Sequence, residues 1–202
     1  MTRVTRESLD DPDGRRAMEI ISFAINLEHI GDIIDKHLLE IAVKKIKYKF
    51  DFSKEGAAEL TAFYNGIIDN LKLAFCVFMN QDVRIARTLI EEKTRLRTTE
   101  LAYAESHLAR LRAGLPESIE TSSLHLDVLR DLKRVYSHVC SVAYPVLEAA
   151  GELQPSRLSD VAAADDMPSD LGVSERRPYH NTLRLVTIAG TLWDDVAGAA
   201  AS

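Results

Sequence analysis

No proline occurs between Asp13 and Leu115; the six prolines stand at positions 12, 116, 145, 155, 168 and 178. A stretch of that length, rich in Ala, Leu, Glu, Lys and Arg, favours long helices, because nothing in it removes a helix N–H. The apolar spacing agrees. Ile20, Phe23, Leu27, Ile30, Ile34, Leu38 and Ile41 recur at threes and fours and predict a helix over 16–47, ended by the basic run Lys44 to Lys49. Ser53 is a fitting N-cap for a second helix carrying Leu60, Phe63, Ile67, Leu71, Ala74 and Phe78. Asp82 caps a third, which carries Val83, Ala86, Leu89 or Ile90, Leu96, Leu101, Leu108 and Leu111 and stops at Gly114 before Pro116. After a turn over 117–121, Ser122 or Ser123 opens a fourth helix with Leu124, Val128, Val135, Val139, Val142 and Val146, bent near Pro145. The expectation is an all-α, antiparallel bundle of about four long helices over 16–150, behind a leader of residues 1–15. Residues 151–202 show no insistent period and read as an irregular tail in which Trp193 is either a docking anchor or an incidental aromatic.

Charge narrows the function classes. The 202 residues carry a formal net charge of −6, the wrong sign for wrapping nucleic-acid phosphates. No apolar run approaches a membrane span, and the start MTRVTRESLDDPDGRR lacks the apolar core of a secretory signal. Cys76 and Cys140 form no metal or redox spacing and suit small buried residues of a reducing compartment. These features predict a soluble, acidic, cytoplasmic protein.

Within the first helix, Glu28 and Asp32 stand four apart and Asp35 extends the row. Carboxylates stacked one turn apart repel unless something positive lies between them, either a metal cation or a basic side chain. Gly31 lies between them, at a cost of about 1 kcal/mol against alanine in a helix interior. It reads either as a site of close approach or as a tolerated defect. His29 and His37 read as surface or interface residues. On the fourth helix, Asp131, Arg134 and His138 form a charged line that could meet Glu92 or Glu100, or could turn Arg134 toward Glu28 and Asp32. The run from Lys44 to Lys49 reads as a solvated helix end or, less simply, as an anionic-lipid contact. No Gly-rich phosphate cradle, Glu-x-x-His pair or nucleophile elbow occurs, so no enzyme is expected.

The stretch Asn26 to His37, with its Leu-Glu-x-Ile-Gly-Asp core, resembles the helix signature of PhoU domains, helical regulators of phosphate uptake. The residues His107 to Leu111, Glu117 to Asp127, Arg130 to Arg134 and Ser137-His138 are similar to the PhoU-like cytoplasmic domain of bacterial sodium/phosphate cotransporters of the NptA type. The resemblance spans about residues 17–150 and implies the last helix of one repeat followed by one complete three-helix repeat. It further implies a metal ion, divalent or iron-type, held by Glu28 and Asp32 with help from Asp35, Asp131 or His138. Lys133 and Ser137 occupy the second motif's acidic positions, so a cluster bridging two repeats is not expected. The implied function is non-catalytic regulation of sodium-dependent phosphate transport. The implied partners are a phosphate transporter's membrane domain or a phosphate-sensing protein, with membrane contact through that partner only, at the inner face. A homo-oligomer, in the form of a dimer, would cover the face left by the missing helices. Two other readings stay open: a metal-binding carboxylate protein, and a purely structural helical scaffold.

Overall fold

The computed structural model describes residues 12–153, all of it helix and short connections. The leader up to Asp11, most of the expected tail and Trp193 lie outside the described residues. The first rod comprises α1 (Pro12–Ile33), a π-helical turn (Ile34–Leu38) and α2 (Leu39–Tyr48). Then come α3 (Lys54–Asn80), α4 (Val83–Arg112), the single turn α5 (Pro116–Glu120), α6 (Ser122–Cys140) and α7 (Ala143–Ala149).

The expected punctuation is present. The Ser53 hydroxyl accepts from the Gly56 N–H, and Asp82 accepts from the N–H groups of Arg84 and Ile85. Gly114, at φ +72°, closes α4, with Leu115 N–H donating back to the Arg110 carbonyl. The fourth helix breaks where Pro145 requires it. Proline has no N–H for the Ser141 carbonyl, which accepts from Tyr144 instead, and α6 and α7 separate there.

Cross-helix pairs set the directions. Glu59 meets Arg110, Phe63 meets Tyr103 and Gly66 faces Leu96, so α3 and α4 run antiparallel. Asn26 meets His138 and His37 lies near Asp131, which makes α1 antiparallel to α6. Glu100 with Lys133 and His107 with His125 do the same for α4 and α6. The core is one continuous cluster around Leu60, Phe63, Val77, Leu89, Val139 and Cys140.

Several expectations are corrected. The first helix starts at Pro12 rather than residue 16 and holds a π turn that a uniform period cannot show. From Ile33 to Ile41, both buried, is eight residues, which at about 100° each leaves them some 80° apart in a regular α-helix. One extra residue in the turn takes back about 100°, so both face the core. Ile20 of α1 is exposed, the buried face of that helix running through Phe23, Ile30 and Ile33, and Leu101 and Leu108 are exposed because the buried face of α4 runs through Ala86, Leu89, Leu96 and His107. The segment 117–121 is mostly the helical turn α5. Cys140 is buried as expected, whereas Cys76 is exposed on α3.

The glycines decide between the two readings of Gly31. A Cβ at Gly31 would meet nothing within 4 Å, so no other helix approaches there in the described fold. A Cβ at Gly56 would lie 3.0 Å from Ser53 Oγ and 3.3 Å from His125 Nδ1. Gly31→Ala should therefore stabilise the protein by up to about 1 kcal/mol in urea unfolding, through helix propensity. Gly56→Ala should destabilise it, and a stabilising Gly56→Ala would show that this helix contact is looser than described.

Candidate functional site

The charged residues singled out in the sequence gather where the first rod crosses α6. Their hub is Asp131, fully buried on the apolar side of α6. Burying a carboxylate without partners is costly, and the fold supplies them. Arg134, one turn on, donates to Oδ1 at 3.1 Å, and Arg130 Nε stands 3.6 Å from the same oxygen. Oδ2 faces the π turn, where His37 Nδ1 is 3.9 Å away and no hydrogen bond forms. The π turn thus presents His37 to the one buried acid of α6.

One turn further along α6, His138 Nδ1 lies 2.8 Å from Asn26 Oδ1. The amide is oriented by its own Nδ2, which donates to the Ser22 carbonyl at 2.8 Å. Nδ1 therefore donates, leaving Nε2 as the acceptor nitrogen. The His29 ring sits 5.1 Å from that of His138. Burial, then the nearby His29 and Arg134, hold the His138 pKa below its ordinary value.

The five residues read as a metal set are not brought together. Among the described residues no group of three or more His, Cys, Asp or Glu side chains could hold a metal ion. Glu28, Asp32 and Asp35 lie on the exposed side of the rod, and Asp32 accepts from Lys36 at 2.8 Å. Asp131 is engaged by arginines, and His138 by Asn26. Arg134 serves Asp131, not Glu28 and Asp32, and Glu100 meets Lys133 at 2.9 Å rather than Arg134.

A second polar cluster was not read from the sequence. At the end of the bundle where α3 and α6 begin and α4 ends, the rings of His107 and His125 stack at 4.4 Å, nearly parallel. His107 Nε2 is 3.0 Å from Ser122 Oγ, and Ser118 donates to Ser53 Oγ at 3.2 Å. Beside them Arg110 grips Glu59 with both terminal nitrogens, at 2.9 and 2.8 Å. Burial pushes the Glu59 carboxyl up, but the Arg110 and Ser106 contacts outweigh it and leave the group lowered. Burial, with His107 and Arg110 nearby, lowers the His125 pKa to about 4. Most of the cluster's members lie in the stretches His107 to Leu111 and Glu117 to Asp127 that carry the family resemblance, but their spacing on a helix face expected to be leucine-lined gives no sign that they meet.

Comparison with known proteins follows the phosphate theme. The chain is 45% identical over 148 residues to the "Putative inorganic phosphate export protein YjbB" of Salmonella typhimurium. It is 43% identical over 152 residues to the protein of the same name from Escherichia coli K12. These matches cover 73% and 75% of this chain but only 27% and 28% of those relatives. No family model matches the chain, and no solved structure matches it.

Two outcomes follow from this geometry. Asp131→Asn should cost about 1–3 kcal/mol in urea unfolding, since it removes the charge to which Arg130 and Arg134 are directed. The double substitution Glu28→Gln/Asp32→Asn should leave the unfolding midpoint unchanged, and a large loss there would return a structural or ligand role to the acidic row. His125, neutral when folded, also makes stability pH-dependent. Its stabilising contribution is complete above the unfolded value of 6.5 and is lost as pH falls through 6.5 toward about 4. The loss reaches at most about 3 kcal/mol. Urea titrations across that window should show a smaller acid loss for His125→Phe than for the parent chain.

Proposed function

We propose that this chain is a non-catalytic regulatory module of phosphate transport, acting by docking a helix face on a membrane-embedded transporter or a phosphate-sensing partner. The observation that carries this reading is the 43–45% identity to proteins named for inorganic phosphate export. Conveying phosphate through a bilayer needs a spanning structure, and no helix among the described residues is long and apolar enough to cross one. The reading therefore assigns control, not conduction, to this part.

The PhoU-like resemblance, with a cytoplasmic location at the inner membrane face and self-association, belongs to the same proposal. Its physical support is the first rod. That rod packs along α6, yet Met18, Ile21 and Ile25 of α1 remain exposed, so one face of a long helix stands uncovered. The acidic row enters as a solvated face, since Asp32 is matched by Lys36 and Asp131 by arginines.

The test is phosphate efflux from bacteria loaded with radiolabelled phosphate and expressing a full-length relative, with and without this chain. A changed efflux rate, together with more of the chain recovered with membranes when the relative is present than when it is absent, is expected. Unchanged efflux and no transporter-dependent cofractionation would sink the proposal.

A further inference from the structure

We infer that the C-terminal end of the first rod, α2 and the residues after it, is a contact surface for an anionic lipid bilayer. The sequence shows Lys44, Lys45, Lys47 and Lys49 in one short run, a pattern whose simpler reading is a solvated helix end. The structure adds what the run is mixed with. Val43, Ile46 and Tyr48 are 57%, 67% and 56% exposed, among the most exposed large apolar side chains of the described residues. Ile41 is the one buried residue of α2. The helix end therefore presents apolar side chains to solvent with lysines between them, the composition that settles at a headgroup–acyl boundary.

The charges have the right sign and are only partly answered. Lys44 pairs with Glu40 at 2.8 Å and Lys45 with Asp51 at 3.3 Å. Lys47 and Lys49 are in no ion pair among the described residues, although Lys47 lies 5.3 Å from the Tyr48 ring centroid. A net positive tip on a chain of charge −6 is not explained by overall composition. An acidic bilayer attracts such a tip and repels the rest, which would orient the molecule end-on. The backbone suits a protruding tip. Lys49, at φ 54°, ends α2 in the left-handed conformation and the chain turns back toward α3, with Phe50 N–H donating to the Lys45 carbonyl. The occupant we commit to is the lipid surface itself, and the inference does not depend on any transporter partner.

Sedimentation of the full chain with vesicles decides it. The probes are phosphatidylcholine alone and phosphatidylcholine with about 30% phosphatidylglycerol, at roughly 50 and 300 mM salt. The expected result is binding to the anionic vesicles about tenfold tighter than to the neutral ones, weakened by salt. Replacing Lys44, Lys45, Lys47 and Lys49 by Gln should weaken it by about tenfold or more. Val43→Ser/Ile46→Ser should weaken it severalfold at both salt concentrations. Lys45 is largely covered, pairing with Asp51 beside the Phe52 ring, but the others project from the surface, so circular dichroism melts of a Lys44/Lys47/Lys49 variant and of the Val43/Ile46 variant should match the parent chain. A charge-matched control, Lys72, Arg84, Arg95 and Arg97 to Gln, should bind as the parent does. Equal binding to both vesicle types, full binding by the lysine variant, or an equal loss in the control would each overturn the inference. The assay contains no transporter, so its failure leaves the regulatory reading standing, and failure of the efflux test leaves this one.

Discussion

The burial of α6 is the constraint on which the other helices depend. It packs against α1, α2, α3 and α4, and ten of its residues are buried, from Leu124 to Cys140. A helix covered on most of its circumference must satisfy its polar side chains from inside the protein, because water cannot. Two such side chains lie six residues apart, about 9 Å along the axis: His125 and Asp131. The His107 ring stacks on the first, whose Nε2 has no hydrogen-bond partner, and Arg134 of α6 itself bonds the second, with His37 of the π turn 3.9 Å away. The register in which the first rod and α4 meet α6 is marked instead by the cross-helix pairs Asn26–His138 and Glu100–Lys133.

The bundle divides physically into a firmer and a looser part. The packing of α3, α4 and α6 is close, with fully buried Phe63, Leu60 and Leu89 and the paired Glu59 and Arg110 inside it. The first rod is attached mainly along α6 and through stacking of Phe23 on Phe78 near the far end of α3. Its outer side carries exposed apolar residues, the acidic row and the lysine-rich tip. Binding surfaces belong on an element that is held on one side only, since a helix buried all round has no face to offer. This division is the physical reason for seating both proposed contacts, with a partner and with lipid, on the first rod and not on α3, α4 or α6.

The sequence by itself determined the helical class and most of the helix boundaries. Those depend on local chemistry: Ser53 and Asp82 as caps, Gly114 as a stop, and Pro145 as a break act within a few residues of themselves. It also placed the core of α6, since Leu124, Val128, Val135 and Val139 recur at the helical period without interruption. What only the tertiary structure decided is whatever depends on residues far apart in the chain. The π turn exists because Ile33 and Ile41 must both reach the same core, a requirement no local pattern states. Whether the acidic row meets a cation, a lysine or an arginine is a choice among neighbours: Asp32 took Lys36 from its own helix, and Arg134 was already committed to Asp131. The stacking of His107 on His125 joins residues 18 apart on two different helices, and Gly56, not Gly31, proved to be the close approach. Periodicity names the face of a helix, but only packing decides what that face meets.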